Sequence, residues 1–245
     1  MAIRFDASTD YLRRTANIPT REGPWTWMAW VYMVATGGSG NYGTLVAING
    51  NTSSHYDGLY FYYNGSNTRM LVAVDNGSYV ETIGGTNLST GAWYHVTLAR
   101  SSSSAIVAYL NGVSEVTNTT SQTGGAFTQI DSGVHPQYSS DAFNGRLDCI
   151  KIFDAALTVT EILQEMHTKR PQRFANLNIW SPTFPGSGER ARDYSGNGRN
   201  WTEGGTLTDE DPPPVSWGAR SILVPYAAAA PPSVTGMMTP NRGIW

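Results

Sequence analysis

The run from 143 to 167, FNGRLDCIKIFDAALTVTEILQEMH, constrains the fold most, because a strand signal passes directly into a capped helix. The Asn-Gly pair at 144–145 suits a tight turn, and the positions after it are rich in β-branched and aromatic side chains. Thr158 lies three residues before Glu161, the spacing of a capping box, and apolar side chains then recur at helical intervals. The run therefore predicts one strand followed by one short amphipathic helix.

The predicted strand has an irregular apolar pattern. Leu147 and Cys149 fall on one face, whereas Ile150 and Ile152 fall on the other, so the strand is either bulged or buried on both sides. Cys149 is the only cysteine, so the chain can form no internal disulfide. We expect it to be a small buried hydrophobe rather than a reactive thiol.

The earlier part of the chain indicates further strands. WTWMAWVYM, at 25–33, is apolar on both faces, which predicts a central strand covered on both sides. Three Asn-Gly turns between residues 49 and 77 separate short apolar runs, which predicts an antiparallel meander. Phe5 and Tyr11 are interpreted as bracketing a short first hairpin.

FNGRLDCIKIFDAALTVTEI resembles the closing strand and final helix of the laminin-G-like, concanavalin A-like lectin/glucanase superfamily, with its F-x-G-x-I-D and A-L-[ST]-x-x-E-I patterns. FDASTDYL, LSTGAWYHVTLAR and AIVAYLNGV agree with the same family in the same order. The resemblance covers roughly residues 1–170. It implies an all-β fold, a two-sheet antiparallel β-sandwich of the jelly-roll type, to which we add one short helix and an extended C-terminal arm predicted from the residues themselves. Such folds host lectins, adhesion modules, glycanases and virion proteins alike.

The segment 176–210 resembles the beginning of such a domain, with its W-x-L strand and D-x-S-G-N-G loop. We interpret it as a permuted segment that completes the sheets beside the N-terminal hairpin. A truncated second repeat is the alternative, although about 40 residues cannot bury a sheet face alone. On this interpretation the helix caps one end of the sandwich. We predict a single sandwich over 1–218 and an arm over 219–245.

The arm is rich in proline and alanine: seven of the 13 prolines follow residue 211, and a four-alanine run lies between them. This composition predicts an extended segment. We expect it to dock on a neighbouring subunit, with solvent-exposed flexibility as the alternative. The apolar anchors are Met237, Met238, Ile244 and Trp245.

Charge and hydropathy exclude some partners. The net charge of −3 gives no basic field for nucleic acid. No run approaches 18 apolar residues, so we expect no membrane insertion. The N-terminal residues are interpreted as a strand rather than a secretory signal. We expect the protein on a virion or another extracellular particle surface.

The sequence lacks the catalytic motifs that would indicate a hydrolase. Glycanases of the resembled superfamily carry an E-x-D-x-x-E strand, and no such string occurs here. Glu161 and Glu165 have the spacing of a solvated helical face. There is no G-x-S-x-G motif, and the histidines lack metal-ligand spacing. The sequence therefore predicts a protein that is not an enzyme.

No cofactor is required by the sequence, but the resemblance leaves Ca²⁺ open. Some laminin-G-like domains hold one calcium ion at a loop rim through Asp and backbone oxygens. Candidate ligands in predicted loops are Asp57, Asp75, Asp131 and Asp141.

An exposed aromatic platform is the feature that glycan binding would use. Alternation in GLYFYY places Tyr60 and Tyr62 on the open face of a sheet. Such tyrosines serve equally as a protein-contact surface. The candidate ligand-binding residues are Tyr56, Tyr60, Tyr62 and Tyr138.

Two functions follow from these observations. The first is a non-enzymatic attachment module, a surface or decoration component of a phage-like particle or other assembly, whose partners are neighbours in a homo-oligomer. The alternative is a free-standing lectin-like domain that binds carbohydrate.

Overall fold

The computed structural model describes residues 1–36, 41–49, 55–122 and 126–217. Within these ranges the chain forms fifteen strands and one α-helix. The strands are β1 (Ala2–Phe5), β2 (Tyr11–Arg14), β3 (Trp25–Met33), β4 (Tyr42–Asn49), β5 (His55–Tyr63), β6 (Thr68–Asn76), β7 (Tyr79–Ile83), β8 (Trp93–Ser102), β9 (Ala105–Leu110), β10 (Val113–Asn118), β11 (Gln129–Ser132), β12 (Gly145–Phe153), β13 (Leu177–Ser181), β14 (Thr202–Gly204) and β15 (Thr208–Glu210). The helix is α1 (Val159–Met166).

The strands form two antiparallel sheets. The first has eight strands in the order β10-β9-β8-β3-β12-β1-β15, with β13 also paired to β12. The second has seven strands in the order β14-β2-β11-β4-β5-β6-β7, which contains the predicted meander. The main apolar core draws side chains from both sheets. The predicted all-β, two-sheet antiparallel sandwich with one helix is confirmed.

Strand β3 lies in the middle of the first sheet, between β8 and β12. Alternate side chains, among them Trp25 and Trp27, are fully buried in the main core. Met28 points the other way into a second, smaller apolar cluster with Ile162 of α1. The prediction of a central strand covered on both sides is therefore confirmed.

Strand β12 is both bulged and buried on its two faces. Its register against β3 shifts between Asp148 and Lys151, and Cys149 has a φ of 57°. Burial raises the pKa of the Cys149 thiol to about 12, so at neutral pH this side chain is protonated. Before the bulge β12 pairs with β1, and after it β12 pairs with β13.

Helix α1 begins as predicted but lies elsewhere than expected. Thr158 and Glu161 form the capping box, each side chain accepting from the other residue's backbone N–H. The helix lies on the outer face of the first sheet, where Trp30 Nε1 donates to the Met166 carbonyl at 3.1 Å. The prediction that it caps one end of the sandwich is wrong, because the apolar outer side of β3 and β12 provides the surface that α1 buries.

Glu165 differs from its prediction as a solvated residue. It is 2% exposed and accepts a 2.7 Å bond from Lys151 Nζ, which rises from β12 beneath the helix. Its other oxygen accepts from the backbone amides of Gln172 and Arg173. Glu165 therefore ties the helix to both the sheet and the segment that follows.

The segment after the helix contributes to both sheets. Strand β13 pairs with β12, β15 pairs with β1, and β14 pairs with β2. The division of the chain at residue 218 stays a prediction.

The first two strands do not form a hairpin, so that prediction is wrong. Strand β1 belongs to the first sheet and β2 to the second. Between them the buried Asp10 carboxylate accepts from the backbone amides of Asp6 and Ala7, and from Thr206 near β14. Asp10 thus fixes the point where the chain crosses between the sheets.

Candidate functional site

Aromatic side chains cover part of the outer face of the second sheet. Because Leu59 and Phe61 of β5 enter the main core, their neighbours in the same strand point outward. The loop 133–142, between β11 and β12, adds two more rings over this surface. We call this set the tyrosine face: Tyr42, Tyr56, Tyr60, Tyr62, Tyr79, His135 and Tyr138.

Four of these rings form a continuous row. Tyr79 contacts Tyr56 with 6.1 Å between ring centroids, and Tyr56 meets His135 edge-on at 4.8 Å. His135 in turn stacks on Tyr138 at 4.8 Å. Only the ends of the row reach solvent: Tyr79 is 50% exposed and Tyr138 is 45% exposed.

The expected exposure of Tyr60 is wrong. Tyr60 is 3% exposed and Tyr56 is 4% exposed, while Tyr62 is partly buried. The cause is the loop 133–142, which brings His135 against both buried rings. Of the four tyrosines predicted to bind ligand, Tyr138 alone is broadly accessible.

Tyr79 was missed from the sequence. In the pairing of β6 with β7, Tyr79 lies beside Asp75, and in the pairing of β5 with β6, Asp75 lies opposite Tyr56. Tyr79 therefore belongs to the outer face. The signal was available in the Asn76-Gly77 turn, since this turn fixes the register of the β6–β7 hairpin.

Polar groups accompany the exposed rings. Tyr42 donates to Glu81 Oε1 at 2.9 Å, and the Tyr79 hydroxyl also bonds Glu81. Burial, followed by the bond to Glu81, raises the pKa of Tyr42 to about 12, so its phenol stays neutral. An apolar ring beside a carboxylate offers a hydroxyl-rich ligand both a stacking surface and an acceptor.

Several buried polar atoms on this face lack a partner among the described residues. They are the Tyr60 hydroxyl, Asn49 Oδ1 and His135 Nε2. Buried polar atoms normally have partners, so such a group points to water or a ligand.

Three of the four aspartates predicted as possible calcium ligands, Asp57, Asp75 and Asp131, lie on strands and accept hydrogen bonds from other groups. Both oxygens of Asp57 accept from Arg100 at 2.7 Å, and both residues are fully buried. Asp131 accepts from Arg13, and Asp75 accepts from the Gly77 amide.

Asp141 accepts at Oδ1 from the Ser140 hydroxyl. Within the described ranges, no group of three or more His, Cys, Asp or Glu side chains is placed to hold a metal ion.

The Asp57–Arg100 pair supports the tyrosine face from inside the sandwich. Arg100 reaches it from β8 of the first sheet, and Gln122 donates to Asp57 at 2.9 Å. The same amide nitrogen also donates to the carbonyls of Tyr56 and Asp75. The pair and Gln122 therefore fix the β5–β6 segment that carries the row of rings.

Two further predictions concern the anchors of the C-terminal arm and membrane insertion. Met237, Met238, Ile244 and Trp245 lie outside the described residues. In the part that is described, no helix is long and apolar enough to cross a membrane.

Comparisons with solved structures return the same architecture. The chain is similar to a putative carbohydrate-binding protein from Bacteroides ovatus, with TM-score 0.61 and 16% identity, covering 89% of this chain and 61% of that one. It is also similar to a heptameric pentraxin from Limulus polyphemus, with TM-score 0.53 and 18% identity over 66% and 79% of the two chains.

A third similar structure is tailspike protein 2 from the Escherichia coli O157:H7 bacteriophage CAB120, with TM-score 0.57 and 11% identity over 73% of this chain and 26% of the tailspike. At these identities the likeness shows the fold. No curated protein matches the sequence.

A laminin G-type family model, described as the concanavalin A-like lectin/glucanases superfamily, matches residues 6–163. That range runs from the crossing after β1 into α1, and so includes the strands that carry most of the tyrosine face. The chain belongs to the concanavalin A-like lectin/glucanases superfamily.

Proposed function

We propose that this domain is a non-enzymatic glycan-recognition module that attaches a particle or a larger protein to polysaccharide. One observation carries the proposal: Tyr79 and Tyr138 expose their rings at the two ends of a packed aromatic row. Sugar rings present apolar C–H faces and hydroxyls, which match exposed aromatic rings with adjacent donors and acceptors. Because buried rings hold both ends in place, little ordering is needed on binding.

The state of the buried acids supports the non-enzymatic part of the proposal. Glycoside hydrolysis needs two carboxyl groups that reach the glycosidic bond. Several acids are instead buried in ion pairs with cations of neighbouring strands or loops: Asp57 with Arg100, Asp131 with Arg13, Asp148 with Lys169, and Glu165 with Lys151. These carboxylates hold the fold together and have no access to a substrate.

The proposal predicts a specific loss of binding. Tyr79→Ala and Tyr138→Ala should each weaken glycan binding several-fold, and the double variant by about tenfold or more, because each lost stacking contact is worth roughly 0.5–1.5 kcal/mol. The measurement is binding to a broad oligosaccharide array, followed by calorimetry on the best ligand.

Phe174→Ala is the matched control, since Phe174 is 57% exposed and belongs to the segment after α1. It should bind as the unmodified protein does. A blank array, with and without calcium, would contradict the proposal, as would equal losses in Phe174→Ala.

Assembly on a phage-like particle is the second candidate role. It is favoured by the composition of residues 219–245, which is typical of an extended arm. Deleting 219–245 should then abolish oligomer or particle association while glycan binding stays intact. Sedimentation of the full and shortened chains tests this, and unchanged association would exclude the arm from that role.

A further inference from the structure

A cavity of about 580 Å³ lies beside the tyrosine face. Its walls come from β2, from the crossing after β1 and from the loop 133–142, and they include Tyr11, Arg13, His135, Gln137 and Ser139. His135 is shared with the aromatic row. The cavity and the exposed ring of Tyr138 are therefore joined through one side chain.

The cavity is held in shape without a ligand. The Asp10 carboxylate accepts two backbone amides of its own crossing, at 3.0 Å each, and the Thr206 amide at 2.8 Å. It thereby joins the wall at Ser8 and Thr9 to the wall at Gly205. A preformed cavity needs little ordering when a ligand enters.

His135 contributes a donor that has no partner in the part of the chain that the structure describes. The side chain is 2% exposed, and its Nδ1 accepts from the Gln137 amide at 3.2 Å. Burial lowers the pKa of His135 to about 4, so the neutral ring carries its proton on Nε2. Leaving such a buried donor unpaired has a free-energy cost, which an incoming acceptor would recover.

Arg13 contributes further donors. Its Nε donates to Asp131 at 2.6 Å, and its guanidinium carbon lies 4.3 Å from the centroid of the Tyr11 ring. No described residue accepts a hydrogen bond from its terminal nitrogens. The guanidinium is thus fixed in position by Asp131 and Tyr11, with two nitrogens left to meet a ligand.

The cavity lining favours an acceptor-rich, anionic group. None of the lining side chains is a carboxylate. The two acids behind the walls, Asp10 and Asp131, are fully buried and bonded to backbone amides or to Arg13 and Gln129. Arg13 and His135 both line this cavity, and the donors that they leave without a described partner match a carboxylate group, which has only acceptors.

We propose that this cavity is a subsite for an acidic sugar, with the carboxylate bound by the Arg13 terminal nitrogens and by His135 Nε2–H. The proposal rests on the proposed function, since it names the class of sugar that the tyrosine face would present to the cavity. The neighbouring sugar ring would stack on Tyr138.

The test is an array of oligosaccharides that carry hexuronic or sialic acids, each printed beside its neutral methyl ester. We expect at least tenfold stronger binding of some acids than of their esters. Equal binding of acids and esters, or binding of neutral glycans alone, would overturn the subsite while the glycan-binding function stands. A blank array would overturn both.

Variants separate the subsite from a structural effect. His135→Phe keeps the stacked ring but removes the donor, and should reduce the acid preference about tenfold, whereas His135→Gln should retain part of it. Arg13→Lys keeps the charge but loses the planar guanidinium group, and should also reduce the acid preference.

Arg69→Gln is the control, because Arg69 lies on β6 of the same sheet outside the cavity. Unchanged acid preference in folded His135→Phe and Arg13→Lys would overturn the assignment.

Discussion

Replacing Asp57 by Ala is expected to lower the free energy of unfolding by about 3–5 kcal/mol, the usual effect of breaking a buried ion pair. Arg100 would then be left fully buried without its counter-ion, because both of its bonds to Asp57 would be lost. Gln122 would also lose one of its acceptors. Urea unfolding of the two proteins measures the difference.

A double variant checks the cause. Asp57→Leu together with Arg100→Met removes both charges, so it should be clearly more stable than Asp57→Ala. EDTA should leave the effect of Asp57→Ala unchanged, since Asp57 bonds Arg100 and Gln122. A stability loss below about 1 kcal/mol, typical of exposed pairs, would contradict the structure.

Glu165→Gln is expected to lower the free energy of unfolding by about 3 kcal/mol, because it also breaks a buried ion pair, the one between Lys151 and Glu165. Lys151 Nζ would keep the carbonyl acceptors of Glu165 and Thr168 but would lose its buried negative partner. The helix would be affected first, because Glu165 also accepts from the amides of Gln172 and Arg173. Thermal or urea unfolding gives the magnitude.

The matched control for that experiment is Glu161→Gln, one turn earlier on the same helix. Glu161 is in the capping box and pairs with Arg173 in a partly exposed position. Glu161→Gln should lower the free energy of unfolding by about 1 kcal/mol or less. Equal losses for the two variants would mean that Glu165 is not the buried anchor of the helix.

Local signals predicted the parts of the fold that depend on neighbours in sequence. The capping box at Thr158 and Glu161, the central strand β3 and the meander all occur as expected. The position of α1 could not be predicted in the same way. It depends on which apolar sheet face is left uncovered, and that is decided by pairings between residues far apart in the chain.

The charged interior was partly visible in the sequence. Asp57 shares the inward alternation of Leu59 and Phe61, and Arg100 shares that of Val96 and Leu98. Two opposite charges at inward positions of opposed strands indicate a buried pair. Interpreting Asp57 as a loop residue concealed this, although its place in the alternation was available.

The candidate site was predicted only in outline. Alternation in GLYFYY identified Tyr60 and Tyr62 as outward-facing, but not that a distant loop would bury Tyr60. The burial follows from His135, whose loop returns over the sheet some 75 residues later along the chain. No local pattern carries that information, whereas hairpin register alone would have added Tyr79.

Aromatic-region NMR during titration with the best array oligosaccharide tests the central claim most directly. The ring resonances of Tyr79 and Tyr138 are predicted to shift, because these rings form the exposed ends of the row. Those of Tyr32 and Trp93, a pair on the outer face of the other sheet, should stay in place. Shifts confined to Tyr32 and Trp93 would contradict the assignment of glycan binding to the tyrosine face.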